Sequence, residues 1–180
     1  MGRIIVSEFL TLNGVMEEPM WSLTYWNEDI AKFKHDELFS VDSLLLGRVT
    51  YEGFASSWPQ RSGDDFSDRI NSMKKYVVTS TLNQLDWSNS QKVTGNVLAE
   101  IAAIKQREPG DILIFGSDQL VQSLIGDNLV DQYNLLVYPL VLGKGKRFLQ
   151  GGPETTLKLT ESKSYDTGAV LLVYEPLPKA

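Results

Sequence analysis

Short apolar stretches alternate along the chain with segments of helical periodicity. The first apolar stretch covers residues 3–12, "RIIVSEFLTL", and others follow at residues 43–46, 74–80 and 111–116, with a shorter one at residues 91–95. Runs rich in Val, Ile, Leu and Tyr are typical of buried strands. Strands that alternate with helices predict an α/β fold with a largely parallel sheet.

Helix start and stop signals divide the segments between these strands. The predicted helices cover residues 27–38, about 49–57, 96–110 and 117–128. Asn27 is the predicted N-cap of the first helix, and Asn96 is that of the third. A polar loop is predicted at residues 59–73, where no apolar stretch is evident.

The carboxyl-terminal part of the chain has a different pattern. Two predicted strands, residues 156–165 and 168–177, meet at a short turn that contains Asp166, Thr167 and Gly168. Such a turn predicts a hairpin and therefore antiparallel pairing. We expect one domain over residues 1–180, with a central mixed sheet and helices on both faces.

Composition excludes several classes of protein. The net charge of -6, with 17 Lys and Arg against 23 Asp and Glu, argues against a nucleic-acid surface. The chain has no Cys and one His, His35, so disulfides, thiolate metal sites and histidine-rich metal sites are excluded. No leader pattern or long apolar run is present, and we expect a cytoplasmic protein without a membrane partner.

The junction "LLLGRVTYE" places Gly47 and Arg48 where a strand becomes a helix. A helix amino terminus offers free N–H groups and partial positive charge, and a guanidinium can bind two oxygens of one phosphate at once. This junction is therefore a candidate anion site. The alternative is a purely structural turn in which Gly47 is required for steric reasons.

Two more strand ends have the same character, "YVVTSTL" and "LIFGSDQL". Gly116 allows close approach of the backbone, and Ser117 is the predicted cap of the next helix, so both are candidates for pyrophosphate binding. Ser80 and Thr81 can hydrogen-bond a ribose or its phosphate, or else form a polar turn. Asp118 would repel a phosphate unless its carboxylate points away.

Aromatic and acidic residues near the amino terminus are candidates for a substrate pocket. Asp29 and Phe33 are four residues apart and share a helix face, so together they could bind a heteroaromatic ring. Met20 and Trp21 could cover a flat ring. The alternatives are a helix-end acid for Asp29 and a core role for the apolar residues.

Taken in order, the segments "LTLNG", "LLLGRVTYEGF", "YVVTSTL", "LIFGSDQLVQSL" and "DQYNLLVYPLVLGKGKRFL" resemble the dihydrofolate reductase superfamily. The resemblance spans nearly the whole chain and is to the branch that includes the reductase domain of bacterial riboflavin biosynthesis. It implies a three-layer fold and NADPH lying across the strand ends.

The resemblance also implies a role for individual residues. Around the phosphates and ribose it places Gly47, Arg48, Thr50, Ser80, Thr81, Gly116 and Ser117. Near the nicotinamide half it places Asn13, Gly14, Leu142 and Gly143. In the folate enzymes of the superfamily, the segment "EDIAKFK" would make Asp29 the substrate-binding acid and Phe33 a pocket wall, whereas the riboflavin-type branch does not depend on that acid.

The implied activity is hydride transfer from NADPH to a small pterin-like or pyrimidine-like substrate. Two alternatives stay open: the ribosyl-pyrimidine reduction of the riboflavin pathway, and a module that binds NADPH without turnover. By analogy with riboflavin-type relatives we expect a homodimer. No metal is expected.

Overall fold

An eight-stranded sheet runs through the computed structural model, which describes residues 1–178. The strands are β1 (Ile4–Thr11), β2 (Ser43–Gly47), β3 (Lys74–Val78), β4 (Ser90–Val93), β5 (Ile112–Phe115), β6 (Gln132–Tyr138), β7 (Leu157–Ser164) and β8 (Val170–Pro176). Their order is β4-β3-β2-β5-β1-β6-β8-β7. The first six are parallel, and β8 and β7 complete the sheet as antiparallel strands. The predicted fold class is confirmed.

Within residues 1–178, five α-helices connect the strands. They are α1 (Glu28–Phe39), α2 (Arg48–Ser57), α3 (Asp65–Ser72), α4 (Val97–Arg107) and α5 (Asp118–Gly126), with short 3-10 helices at Pro19–Tyr25 and Trp58–Gln60. Asn27 caps α1 by accepting a hydrogen bond from the Ile30 amide at 2.9 Å. Asn96 caps α4 in the same way through the Ala99 amide. Both caps agree with the sequence prediction.

Helix α3 corrects the prediction of a polar loop at residues 59–73. Asp64 caps this helix by accepting a hydrogen bond from the Ser67 amide at 2.9 Å. Only a narrow apolar stripe, Phe66 and Ile70, faces the core, and Ile70 is 1% exposed. One apolar pair four residues apart in an otherwise polar segment is a weak periodic signal, which explains why the helix was missed.

Buried side chains cover both faces of the sheet, which makes three layers. Ile4 and Val6 of β1 pack on the face that α4 and α5 cover. Ile5, between them, packs on the face that α2 and α3 cover. This alternation follows from the two-residue period of a strand. A third cluster joins α1 to β6 and β8 around Tyr138.

Candidate functional site

A large cleft opens at the carboxyl ends of three neighbouring strands. Because β3, β2 and β5 are parallel and adjacent, the loops that follow them emerge at one edge of the sheet. The cleft has a volume of about 1920 Å³. Its lining includes the seven residues predicted to surround the phosphates and ribose, namely Gly47, Arg48, Thr50, Ser80, Thr81, Gly116 and Ser117.

Ser117 joins two of these strand ends. Its Oγ accepts a hydrogen bond from the Gly47 amide at 2.8 Å and lies 3.2 Å from Thr50 Oγ1. Ser117 occupies the N-cap position of α5, but its side chain makes no capping hydrogen bond there. The predicted position of Ser117 is therefore confirmed, but it does not cap α5 through its side chain, because the hydroxyl is turned towards β2.

Gly116 forms the bottom of the turn between β5 and α5. Its φ of 57° lies in the left-handed region, which favours glycine. A Cβ added at this position would lie 2.6 Å from Thr50 Oγ1. The backbone of this turn and the first turn of α2 thus approach each other more closely than any side chain would allow.

The amino terminus of α2 carries no side-chain cap among the described residues, since Gly47 stands at the N-cap position. Its first-turn residues Arg48 and Thr50 line the cleft. Arg48 is half-exposed and pairs with Glu52 at 2.6 Å. An exposed pair of this kind contributes at most about 1 kcal/mol. Arg48 therefore remains available to an anion at the cleft.

Asp118 does not leave a free carboxylate at the start of α5. The side chain is buried, and its two oxygens accept hydrogen bonds from the Leu149 amide at 2.7 Å and from Gln122 at 2.8 Å. Lys146 lies 3.3 Å away and offsets its charge. The repulsion expected between this acid and a phosphate is reduced accordingly.

Asn13 and Leu142 are brought together, although neither is among the cleft-lining residues. The Asn13 side chain donates a hydrogen bond to the Leu142 carbonyl at 2.7 Å and accepts one from the Leu142 amide at 3.2 Å. Gly14 accepts a hydrogen bond from the Phe148 amide at 2.9 Å. These contacts join the loop after β1 to the loop after β6, in which Gly143 follows Leu142.

Asp29, Phe33 and Trp21 also lie outside the lining of the cleft. Asp29 is exposed in the first turn of α1. Phe33 packs in the cluster around Tyr138, and the Trp21 ring lies edge-on to the Tyr138 ring with centroids 5.5 Å apart. This placement favours the alternative interpretations, a helix-end acid for Asp29 and a packing role for the two aromatic residues.

A buried polar cluster that sequence reasoning missed lies beside the cleft. Lys34 of α1 donates a hydrogen bond to Ser7 of β1 at 2.7 Å and pairs with Glu37. Asn134 of β6 donates to Glu37 at 2.8 Å. Because Ser7 and Lys34 line the cleft, this cluster presents charge and hydrogen-bonding capacity to its wall.

Glu8 is the second group that was missed. The residue is 5% exposed, it lines the cleft, and its Oε1 has no hydrogen-bond partner within residues 1–178. Burial raises the pKa of the Glu8 carboxyl well above its usual value, although the nearby Lys34 opposes this effect. The signal was present in the sequence as an acid inside the apolar stretch "IIVSEFL".

Within the described part of the chain, no group of three or more His, Cys, Asp or Glu side chains could hold a metal ion. Similarly, no helix in residues 1–178 is long and apolar enough to cross a membrane. The residues that line the cleft provide hydrogen-bonding groups, the amino termini of α2 and α5, and the buried acid Glu8.

Comparison with known proteins identifies relatives over almost the whole chain. The uncharacterized protein YyaP of Bacillus subtilis (strain 168) is 28% identical over 177 residues, which cover 96% of this chain and 94% of YyaP. The crystal structure of a putative riboflavin biosynthesis protein from Shewanella sp. PV-4 superimposes with a TM-score of 0.75 at 17% identity, covering 98% of this chain and 99% of that one.

The dihydrofolate reductase of Enterococcus faecalis, complexed with NADP(H), superimposes with a TM-score of 0.63 at 18% identity, covering 98% of each chain. At such identities these structures show a shared fold. The model of the RibD C-terminal domain matches residues 3–171. The chain therefore belongs to the RibD C-terminal domain family, the branch that its sequence motifs resemble, and it shares the fold of the dihydrofolate reductase.

Proposed function

We propose that this protein is an NADPH-dependent reductase that transfers hydride to a small pterin-like or pyrimidine-like substrate. The observation that carries the proposal is the convergence of three strand ends, with an uncapped helix amino terminus and the close approach at Gly116, on one large cleft. Such an edge of a parallel sheet is where open α/β folds bind nucleotides.

The pyrophosphate is assigned to the ends of β2 and β5. There the first-turn amides of α2 and the glycine turn at Gly116 allow phosphate oxygens to meet backbone N–H groups, since no Cβ intervenes. Arg48 supplies a cation at the same edge. These features fit a dinucleotide, because they combine an anion site with room for flat rings on either side.

The adenosine half is assigned to the end of β3. Ser80 and Thr81 supply hydroxyl groups there. Arg48, in the first turn of α2, lines the same cleft and is assigned to the 2′-phosphate that distinguishes NADPH from NADH. The opposite half extends towards β1, where Asn13, Gly14, Leu142 and Gly143 support the loops beside the nicotinamide. The bound cofactor supplies the hydride.

The protein's own contribution is placement and control of protons. Two walls of the cleft, one from α1 and one from α2, hold the substrate ring against the cofactor and exclude water. The related structures support this assignment, since the superimposed dihydrofolate reductase binds NADP(H) and the Shewanella protein is described as a riboflavin biosynthesis protein.

Calorimetric titration with NADPH tests the cofactor assignment, and saturable binding is expected. Loss of NADPH absorbance is then followed with dihydrofolate, dihydropterins and the phosphoribosylamino-pyrimidine of the riboflavin pathway. Turnover of one of them identifies the substrate class. Absence of binding at millimolar NADPH would reject the proposal, and binding without oxidation of the cofactor across the panel would favour the non-catalytic module.

A further inference from the structure

Strands β1 and β5 separate at the floor of the cleft. Their paired register ends at Ser7 and Phe115, whereas β1 continues to Thr11 alongside β6. After Phe115 the chain turns away at Gly116. One edge of β1 therefore faces the cleft from Glu8 onwards, and Glu8 is the first residue past the point of separation.

The side chain of Glu8 lies on the α5 face of the sheet. Val6, two residues before it, packs among the α4 and α5 side chains, and the strand period puts Glu8 on the same face. Ser7 and Lys34 occupy the opposite face, yet both also line the cleft. The cleft therefore reaches both faces at the gap between the strands, and the rings of Phe9 and Phe115 border it there.

Charged groups surround Glu8 from three elements, but none bonds to its free oxygen within residues 1–178. Lys34 and Glu37 approach from α1, Asp118 from α5, and Lys146 from the loop after β6. The two cations lower the pKa of the carboxyl and the two anions raise it, so their effects oppose each other. Burial is then the dominant influence, and Glu8 keeps its proton to a higher pH than an exposed glutamate does.

The direction of the dinucleotide places one of its rings beside Glu8. If the adenosine half lies at the end of β3 and the pyrophosphate at β2 and β5, the nicotinamide half reaches the next strand in the sheet, which is β1. This step rests on the proposed function. The oxidised nicotinamide ring carries a positive charge and the reduced ring is neutral, so the two forms act differently on a buried carboxyl.

We propose that Glu8 is a proton-carrying residue whose protonation is linked to the oxidation state of the bound nicotinamide. Glu8 holds its proton beside the neutral reduced ring and releases it beside the cationic oxidised ring. The observation that motivates this role is a buried acid with an unpartnered oxygen at the gap between the two strands.

The linkage supplies the proton that a reduction requires. Hydride carries two electrons to a carbon of the substrate's C=N or C=C bond, and Glu8 gives its proton to the atom at the other end of that bond. The products are the reduced substrate, the oxidised cofactor and the Glu8 carboxylate, so charge and atoms balance. Protonation of Glu8 from solvent then restores the starting state.

The test compares the affinities of the wild type for NADP+ and NADPH between about pH 6 and about pH 9. Release of a proton on binding NADP+ strengthens that complex as the pH rises, so the preference for NADP+ over NADPH should increase at least about fivefold. Titration of the 2′-phosphate near pH 6 is common to both forms and cancels in this ratio.

Glu8→Gln keeps the size of the side chain and removes its proton exchange, so its NADP+ preference should stay within about twofold over the same range. Glu18→Gln is the matched control, since Glu18 is an exposed carboxylate at the mouth of the same cleft. This control should keep the wild-type pH dependence. A pH-dependent preference that survives in Glu8→Gln would overturn the inference.

A second measurement does not depend on the variant. Calorimetry of the wild type in buffers of different ionisation enthalpy counts protons released on binding, and NADP+ should release more than NADPH at some pH in the range. Equal proton release throughout the range would overturn the role of Glu8 while leaving the cofactor assignment intact. Failure of both cofactor forms to bind would overturn the proposed function and this inference together.

Discussion

The Gly47 amide donates a hydrogen bond of 2.8 Å to Ser117 Oγ, and this contact ties the end of β2 to the end of β5. The two residues are 70 positions apart in the chain. A Cβ added at Gly47 would lie 3.1 Å from the same oxygen, a tight contact that a small shift of Ser117 would have to relieve. The contact therefore sets the distance between the two turns proposed to hold the pyrophosphate.

Ser117→Ala should weaken both folding and cofactor binding. The substitution leaves the partly buried Gly47 amide without its acceptor, at a cost of about 1 to 3 kcal/mol in the free energy of unfolding. Ser56→Ala is the control, because Ser56 is exposed on α2 and its hydroxyl donates to the Gly53 carbonyl of the same helix. Urea unfolding and NADPH titration measure both effects. Equal stability losses for the two variants would contradict the role of Ser117.

Gly116→Ala should lower both the stability of the protein and its affinity for NADPH. The new methyl group would stand 2.6 Å from Thr50 Oγ1 at a φ of 57°, so both strain and displacement of α2 are expected. We expect a loss of about 1 to 3 kcal/mol of stability and weaker NADPH binding. Gly126→Ala, where nothing lies within 4 Å, should change stability by less than about 1 kcal/mol. NADPH binding unaffected by Gly116→Ala would argue against a phosphate cradle.

Arg48→Ala should discriminate between the two nicotinamide cofactors. Loss of a charge-assisted contact to the 2′-phosphate weakens NADPH binding by about 1.5 to 3 kcal/mol and NADH binding much less. Arg107→Ala is a matched control, because Arg107 is a similarly exposed partner of Glu100 on α4, outside the cleft lining. Calorimetry with each cofactor measures the difference. Equal losses for NADPH and NADH would refute contact with the 2′-phosphate.

The strand ends were predictable because their signal is local. Gly47 and Gly116 each follow an apolar stretch directly, and a strand that runs into a helix at a glycine is recognisable without knowledge of its neighbours. The parallel α/β pattern then requires the loops to meet at one edge. The position of β5 between β2 and β1 was not predictable, since it depends on packing between distant segments.

Burial of polar groups was the harder property to predict. Lys34 and Glu37 are three residues apart on α1, a spacing that is common for ion pairs on helix surfaces. Contacts with Ser7 of β1 and Asn134 of β6 place the pair in the interior, and these contacts cannot be read from the spacing. Asp29 illustrates the same limit. Its spacing to Phe33 puts the two residues on one helix face, but helical period alone does not say which structure that face meets, and Asp29 is exposed.

Asp29→Asn should have little effect on turnover. Asp29 is exposed and outside the cleft lining, so we expect activity with any substrate and NADPH affinity to stay within about twofold of wild type. Loss of the helix-end charge costs about 0.3 to 1 kcal/mol of stability. Glu28→Gln, at the neighbouring exposed position, is the control. A fall in dihydrofolate turnover of about 100-fold, specific to Asp29→Asn, would restore the acid role implied by the folate enzymes.

Lys75 should make the stability of the protein depend on pH in the alkaline range. This side chain is 0% exposed, and its ammonium donates hydrogen bonds to the carbonyls of Asn71 at 2.9 Å and Met73 at 2.7 Å. It also lies 4.2 Å from the centre of the Trp87 ring. Burial nevertheless lowers the pKa of Lys75 to about 8.

The sign of the effect follows from proton binding in the two states. Above the folded pKa of about 8, native Lys75 loses its proton, whereas the unfolded chain keeps it up to about pH 10. The unfolded state then binds more protons, so the contribution of Lys75 to stability rises with pH in this window by up to about 1.4 kcal/mol per pH unit. Below the window the residue is charged in both states and contributes no slope.

Lys75→Met removes this titration, and the measurement is the difference in unfolding free energy between wild type and variant from about pH 7 to about pH 9.5. The wild type should gain stability relative to the variant across the range, whatever the offset at neutral pH. Lys74→Met is the control, because the bond to Glu108 raises the pKa of Lys74 above its ordinary value and moves its titration out of the window. A constant difference between wild type and Lys75→Met would show that Lys75 stays charged in the fold, held by its carbonyl partners and by Trp87.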